Sequence, residues 1–291
     1  MTENPIVLML CYARSGGTIL NRCLGSLPNT IVLSEVNPLG GGWGLSGSSS
    51  PTTPKQQSLE WYGIEIKAND FTESIAELYE YCSKKGLSLV IRDWSFINFS
   101  PHSYNNNSPP KRFLIYEALM HFNLPVIPFA FLRDSIDVWI SRGTPNTQIF
   151  YDAYLPYLYR LNTMGIKTFK YEDFCHEPSS FMRSLCDYCN LPYNAGVLVN
   201  PSFKSFNGDS QRGNRSRSLV EESIKPKPRK YLTSERIKLI ERSNQMQEAN
   251  RLSSYPVSYY AAFSSRQRIK LALVHSLERI QKLLPLKSRI F

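Results

Sequence analysis

Apolar positions along this chain fall into short unbroken runs that alternate with stretches of helical period. The runs are Ile6-Val7-Leu8-Met9-Leu10-Cys11, Thr30-Ile31-Val32-Leu33-Ser34, Leu87-Ser88-Leu89-Val90-Ile91, Val126 to Leu132 and Lys167 to Tyr171. Runs this short, rich in Val, Ile and Leu, predict strands buried on both faces. Between them the period changes. Ile19-Leu20-Asn21-Arg22-Cys23-Leu24 opens one helix, and Thr72 to Lys85 gathers Ile75, Leu78, Tyr79 and Cys82 on one face. Thr72 is the predicted N-cap of the second and Gly86 its stop. Further helices are predicted over Phe113 to Phe122, over a short segment carrying Ile136, Trp139 and Ile140 to Gly143, and over Ser179 to Cys189. Gln148 to Met164 reads as aromatic and partly helical, interrupted at Pro156. Strands alternating with helices predict a three-layer α/β domain: a central parallel sheet of about five strands flanked by helices.

In such open sheets, ligands sit at the carboxyl ends of the strands. Charge gathers there: Arg14 follows the first run, Glu35 the second, Arg92 the third and Arg133 the fourth. The densest signal is Tyr12-Ala13-Arg14-Ser15-Gly16-Gly17-Thr18, between the first strand and the first helix. Two glycines let the backbone turn tightly and aim its N–H groups at one point, where the helix N-terminus adds partial positive charge. Arg14 offers a forked donor and Thr18 a hydroxyl, so the segment suits an oxyanion. It also suits an ordinary strand–turn–helix junction with a surface Arg. A Walker A loop needs Lys immediately before its Ser/Thr. Gly17 stands there instead, and ATP with magnesium is a poor fit.

The chain has 291 residues, 42% hydrophobic and 20% charged, which describes a soluble globular protein with a sizeable core. A single domain is expected, with its core over about 5–230 and a basic helical extension over about 231–291. No basic segment precedes the first apolar run. Glu117, His121, Asn123, Pro125 and Pro128 break the longest apolar stretch, Phe113 to Leu132. Neither a secretory signal nor a membrane span is expected, and the cytoplasm is the expected compartment. Six cysteines are scattered along the chain, and Cys186-Asp187-Tyr188-Cys189 lacks the second pair that would complete a zinc site. Buried thiols are expected, without disulfides.

The formal charge of +10 is uneven. Between Ser264 and Phe291 seven basic residues face one acid, Glu278, and a second basic block runs from Lys225 to Lys230. This balance suits phosphorylated cofactors, nucleic acid or acidic lipid alike. Ile269, Leu273, Leu277, Ile280 and Leu284 recur at helical spacing in the last segment. The stripe reads first as a packing face against its own domain, and second as an attachment to an anionic membrane surface.

Arg133 leaves the fourth strand, and Ser141 follows eight residues on, about two turns along the next helix. A guanidinium fork and a hydroxyl so placed suit a phosphate, although Arg133 could equally pair with Asp134 or Asp137. Together with Tyr12–Thr18, this pair resembles the sulfotransferase superfamily, enzymes that use 3′-phosphoadenosine 5′-phosphosulfate (PAPS). The resemblance covers roughly residues 5–230 and implies a P-loop NTPase-like fold. It implies that Arg14, Ser15, Gly16, Gly17 and Thr18 bind the 5′-phosphosulfate, and Arg133 and Ser141 the 3′-phosphate. Lys170-Tyr171-Glu172-Asp173-Phe174 with Glu177-Pro178 looks like a further landmark, with Tyr171 near adenine. Arg212, Gly213 and Asn214, within Asn207 to Asn214, resemble the loop that closes over adenine and the 3′-phosphate. Ser34-Glu35-Val36-Asn37-Pro38 is closer to the tyrosylprotein and carbohydrate-type members, which carry a catalytic Glu after this strand. Arg92-Asp93 stands where relatives often have Lys-Asp, whose cation assists the sulfonate.

The chemistry accounts for these residue types. Sulfonate transfer is an in-line displacement on a group whose oxygens stay charged throughout, so cationic donors and positioning dominate. The attacking hydroxyl must lose a proton, which a carboxylate within reach can take. Glu35, Arg14 and Arg92 are therefore the candidate catalytic residues, with Glu35 as base. A solvated loop acid, or one that only orients Arg14, is the alternative reading of Glu35. No metal is required. The expected acceptor is a carbohydrate or glycolipid hydroxyl, with a peptide tyrosine or small alcohol as alternatives; nucleic acid is not an expected partner. A P-loop-type kinase and a non-catalytic binder of nucleotide or sulfated glycan are the rival functions. Leu39–Pro54 and Ser100–Pro110 are expected to form a lid over the acceptor. His102 reads as a surface-loop residue, and His121, His176 and His275 as structural. Trp43, Trp61 and Trp94 fall near the expected cleft, for stacking or for core packing.

Overall fold

The computed structural model describes residues 4–39, 53–101, 109–143, 146–198, 224–225 and 228–283. The chain divides into two compact units: Met1–Arg133 with Pro156–Pro226, and Asp134–Leu155 with Lys227–Phe291.

The first unit is built on five strands, β1 (Ile6–Cys11), β2 (Thr30–Val36), β3 (Ser88–Asp93), β4 (Val126–Leu132) and β5 (Lys167–Lys170). All four neighbouring pairs are parallel, in the order β2-β3-β1-β4-β5. Every residue of β1 is buried, as a central strand covered on both faces requires. From β1 the chain moves to one side for β2 and β3, then to the other for β4 and β5. That reversal beside β1 is where an open α/β sheet parts its loops to admit a ligand. The register brings the carboxyl ends level: Leu10 and Val36 both face Asp93, and Cys11 faces Phe131.

The helices of this unit follow the predicted period with local differences. They are α1 (Gly17–Gly25), α2 (Pro54–Tyr62), α3 (Phe71–Lys85), α4 (Phe96–Phe99) and α5 (Leu114–His121). Later in the chain come α8 (Tyr171–His176) and α9 (Pro178–Cys189), after α6 (Ser135–Arg142) and α7 (Thr147–Thr163). The cap of α3 is Asp70 rather than Thr72. Its carboxylate accepts from the backbone N–H groups of Thr72 and Glu73, satisfying two orphan donors at once. Helix α2 was not anticipated. Thr53 and Gln56 form a reciprocal capping box with Pro54 in the first turn, a signal masked by the Gly/Ser-rich stretch before it. Pro156 does not interrupt α7, which runs through it; Tyr154, Tyr157 and Leu158 around it are buried, and that packing offsets the lost backbone bond. Strand β5 stops at Lys170, so Tyr171 opens α8. Strand β2 continues two residues past Ser34 and thereby takes in Glu35.

Cys11, Cys23, Cys82, Cys175, Cys186 and Cys189 are all buried free thiols. Burial pushes Cys186 up to about 12, so it stays protonated.

The second unit joins residues 134–155 to the chain from residue 227 onward, with helices α10 (Ser234–Glu241), α11 (Asn244–Leu252) and α12 (Ser265–Leu283). Arg229 lies at its centre, its side chain 1% exposed, 2.5 Å from Asp134 Oδ2. Its Nε donates to Asp137 Oδ1 at 3.1 Å and its Nη1 to the Tyr259 carbonyl at 2.8 Å. In the same unit the Ser135 hydroxyl donates to the buried Asn250 Oδ1 at 2.5 Å. In α12, Leu271 is buried and His275 Nε2 meets the Leu232 carbonyl at 3.0 Å. The described part of the predicted packing stripe does not pack: Ile269, Leu273 and Leu277 are 62%, 61% and 59% exposed, and the side chains of Ile280 and Leu284 lie outside the described residues. Leu271 is two positions from both Ile269 and Leu273, about 200° around the helix, so anchoring through Leu271 turns the stripe outward. Among the described residues, no helix is long and apolar enough to cross a membrane.

Removing Arg229 would strand the buried Asp134 carboxylate and the partly buried Asp137 carboxylate. Arg229→Ala is expected to cost about 3–5 kcal/mol, read as a lowered urea midpoint. Arg229→Lys restores only part, because an ammonium cannot reproduce the fork. Equal stability of the Ala variant and wild type would exclude this role.

Candidate active site

The loop between β1 and α1 is a tight turn, closed by the Ser15 N–H donating to the Tyr12 carbonyl at 3.3 Å. Two residues adopt left-handed backbone, Arg14 at φ 74° and Gly16 at φ 85°. For Arg14 this is uncommon and carries strain, of the kind that collects at functional sites. Gly16 is the N-cap of α1 and provides no side-chain cap, which leaves the helix N-terminus to other acceptors. Space also demands glycine here. A Cβ on Gly16 would lie 2.4 Å from Tyr171 Cδ2, and one on Gly17 would lie 2.5 Å from Cys11 Sγ. Ser15 is wholly buried, and its Oγ has no hydrogen-bond partner among the described residues. Such an orphaned hydroxyl beside a helix N-terminus is a place for an anionic oxygen.

Glu35 is aimed by a bulge. The β2–β3 register shifts between Ser34 and Val36, and Glu35 takes φ 51°. A bulge of this kind re-aims one side chain out of the pleat. Arg92 Nη2 donates to Glu35 Oε1 at 2.6 Å, and Arg92 Nη1 donates to Thr18 Oγ1 at 3.2 Å. One guanidinium thus ties the loop after β1 to the bulge in β2. The Arg92 side chain is 5% exposed and that of Glu35 18%. Arg92 Nε is buried without a partner among the described residues, and it would lie 3.0 Å from a Cβ on Gly17. The cation that Glu35 meets among the described residues is Arg92. Burial pushes the neighbouring Cys11 thiol up to about 11, so it stays protonated.

Behind this pair lies a polar support that the sequence reading missed. Asn37 Nδ2 donates to Asp93 Oδ1 at 2.8 Å and to Asn98 Oδ1 at 3.2 Å, and Ser95 Oγ donates to Asp93 Oδ2 at 2.9 Å. All four residues are buried. Asn37 lay inside the quoted Ser34–Pro38 segment; Asn98 carried no signal, because only the fold brings it there. Burial raises Asp93 to about 7 in spite of these donors.

Arg133 stands on the other flank of the loop. Its Nη1 donates to the Arg14 carbonyl at 3.4 Å, and its guanidinium lies 4.8 Å from the centre of the Tyr171 ring. The same ring abuts Gly16. The structure therefore brings Arg14, Ser15, Gly16, Gly17, Thr18, Glu35, Arg92, Arg133 and Tyr171 to one end of the sheet. Arg14 is exposed. Ser141 lies on α6 of the second unit. Arg212, Gly213, Asn214, His102, Trp43 and most of the two expected lid loops lie outside the described residues. Trp61 packs against the core and Trp94 is half-buried. Among the described residues no group of three or more His, Cys, Asp or Glu side chains could hold a metal ion.

No protein-family model matches the sequence, and no curated protein matches it. Solved structures do match. The chain is similar to the sulfotransferase domain of the Synechococcus PCC 7002 olefin synthase, at 17% identity over 87% of this chain and 95% of that one, with a TM-score of 0.60. The sulfotransferase domain from the curacin biosynthetic pathway matches more loosely, at 16% identity over 87% of this chain and 98% of that one, with a TM-score of 0.45. Mouse sulfotransferase SULT7A1 complexed with PAP matches at 10% identity over 88% of this chain and 90% of that one, with a TM-score of 0.42. The fold is that of the sulfotransferases.

Asp93 supplies a test of the supporting network. Its folded pKa lies above that of the unfolded chain, so between about pH 4 and pH 7 the native state holds a proton that the unfolded state has released. Stability from this group is present at low pH and is lost as pH rises through that window. The unfolding free energy of wild type is expected to fall relative to Asp93→Asn from about pH 4 to pH 7. A difference that stays flat across the series would place the ionised carboxylate in the native protein.

Proposed function

We propose that this protein is a PAPS-dependent sulfotransferase that moves a sulfonate group to a hydroxyl acceptor, with carbohydrate or glycolipid as the acceptor class. One observation carries the reading. The Arg92 guanidinium is shared between Thr18 on the glycine loop and Glu35 on the bulge, so cation, hydroxyl, helix N-terminus and carboxylate meet at one edge of a sulfotransferase fold. The orphaned Ser15 Oγ and Arg92 Nε, and the absence of side chains at Gly16 and Gly17, fit the oxygens of a phosphosulfate.

In this reading Ser15, Thr18 and the N–H groups of the loop hold the phosphosulfate, and Arg92 offsets its charge. The acceptor oxygen forms its bond to sulfur as the bond from sulfur to the bridging phosphate oxygen breaks. 3′-Phosphoadenosine 5′-phosphate leaves with that electron pair. Glu35 takes the acceptor proton. Arg92 engages Oε1, while Oε2 has no partner among the described residues and serves as the accepting atom. Arg133, held over the Tyr171 ring, meets the 3′-phosphate. The Ser34–Pro38 segment resembles tyrosylprotein and carbohydrate-type members alike, and carbohydrate or glycolipid is preferred because nothing in the sequence favours a flat aromatic pocket; a peptide tyrosine or small alcohol is the alternative acceptor.

Two variants separate binding from chemistry. Glu35→Gln keeps an acceptor for Arg92 Nη2, so the loop should hold its shape. Its calorimetric affinity for 3′-phosphoadenosine 5′-phosphate should match wild type, while turnover falls about 10²–10⁴-fold. Full turnover would remove Glu35 from the reaction. Arg133→Ala should weaken 3′-phosphoadenosine 5′-phosphate far more than adenosine 5′-phosphosulfate, which lacks the 3′ group. Equal losses for both ligands would refute the assignment, and tighter binding of ATP–magnesium than of either would favour a kinase.

A further inference from the structure

We infer that α12 is an interfacial helix, which lays its outer apolar stripe on an anionic lipid surface. Ile269, Leu273 and Leu277, spaced four residues apart, form an exposed aliphatic strip facing away from the Leu271 anchor. A surface helix normally turns such a strip inward. Here the helix is fixed to its own unit by Leu271 and His275 on the opposite side, so the strip is left for something else. Large aliphatic side chains exposed in a row mark an interaction surface.

Charge selects the occupant. Arg266 lies on the strip side of the helix, Lys270 flanks it, and both are exposed. Seven basic residues face one acid between Ser264 and Phe291. Long basic side chains beside an apolar strip can keep their charge at the headgroup level while their stems and the aliphatic groups enter the acyl boundary. A second copy docking strip to strip would bring like charges together, whereas phosphatidylserine headgroups complement them. The helix lies on the bilayer, since no described helix is built to cross one.

Co-sedimentation of the full chain with vesicles tests this. Wild type is expected to partition at least about tenfold more strongly into phosphatidylcholine vesicles holding about 30 mol% phosphatidylserine than into phosphatidylcholine alone. Ile269→Ser/Leu273→Ser/Leu277→Ser should lose that binding while keeping its circular dichroism and urea midpoint, because the three side chains are exposed. Arg266→Gln/Lys270→Gln should lose part of the preference for the anionic vesicles. The inference is overturned if wild type shows no such preference, or if the triple Ser variant binds as wild type does. It is equally overturned if light scattering shows a dimer that the triple variant dissolves while vesicle binding is unchanged.

Discussion

The Arg92 guanidinium is the joint on which the candidate site depends. It is nearly buried, and it donates to Thr18 on one side and Glu35 on the other. Removing two opposite charges from water costs several kcal/mol per ion, and an ion pair so placed seldom adds net stability. Its value here is geometric. A carboxylate on a strained bulge in β2 and a hydroxyl at the N-terminus of α1 come from different elements, and one planar cation holds both in place. The strain at Glu35 and Arg14, both at positive φ, is borne by the surrounding sheet, whose central strand is buried along its whole length.

Topology explains why these residues meet. With β1 in the middle and the chain reversing around it, the loops after β1, β2, β3 and β4 open at the same end of the sheet. The buried Asp93–Asn37–Asn98–Ser95 cluster then fastens the end of β2 to the end of β3. On the far side Tyr171 fills the space that a Gly16 side chain would need and carries Arg133 on its ring. The loop is thus clamped from both flanks, by Arg92 and by Tyr171, and its two glycines are required by contact as well as by backbone angle.

Much of this was legible in the sequence, for a physical reason. A strand buried on both faces leaves an unbroken apolar run, and the charged residue that ends the run marks the strand's carboxyl end. Arg14, Glu35, Arg92 and Arg133 could therefore be assigned to one edge before any contact was known. What the sequence hid were relations across the chain. The Arg92–Glu35 pair spans 57 positions and the Asn37–Asn98 bond 61, and no periodicity encodes either. Nor does periodicity decide which side of α12 packs. Its apolar stripe is real, but the anchor is a single Leu271 with His275 on the other side, a choice made by the surface that receives the helix.

An arginine rather than a lysine near the carboxyl end of β3 has a geometric rationale. A lysine ammonium is a point charge on a flexible stem; it can approach an anion but cannot fix two partners at a set angle. The Arg92 fork spends Nη1 on Thr18 and Nη2 on Glu35, and still carries Nε toward the glycine turn. A Lys at this position would present its three donors from one rotating nitrogen, with no plane to fix the angle between Thr18 and Glu35. With Arg, the Glu35 carboxylate and the Thr18 hydroxyl are coupled through one rigid plane. A displacement of the loop is then transmitted through Arg92 to the Glu35 carboxylate.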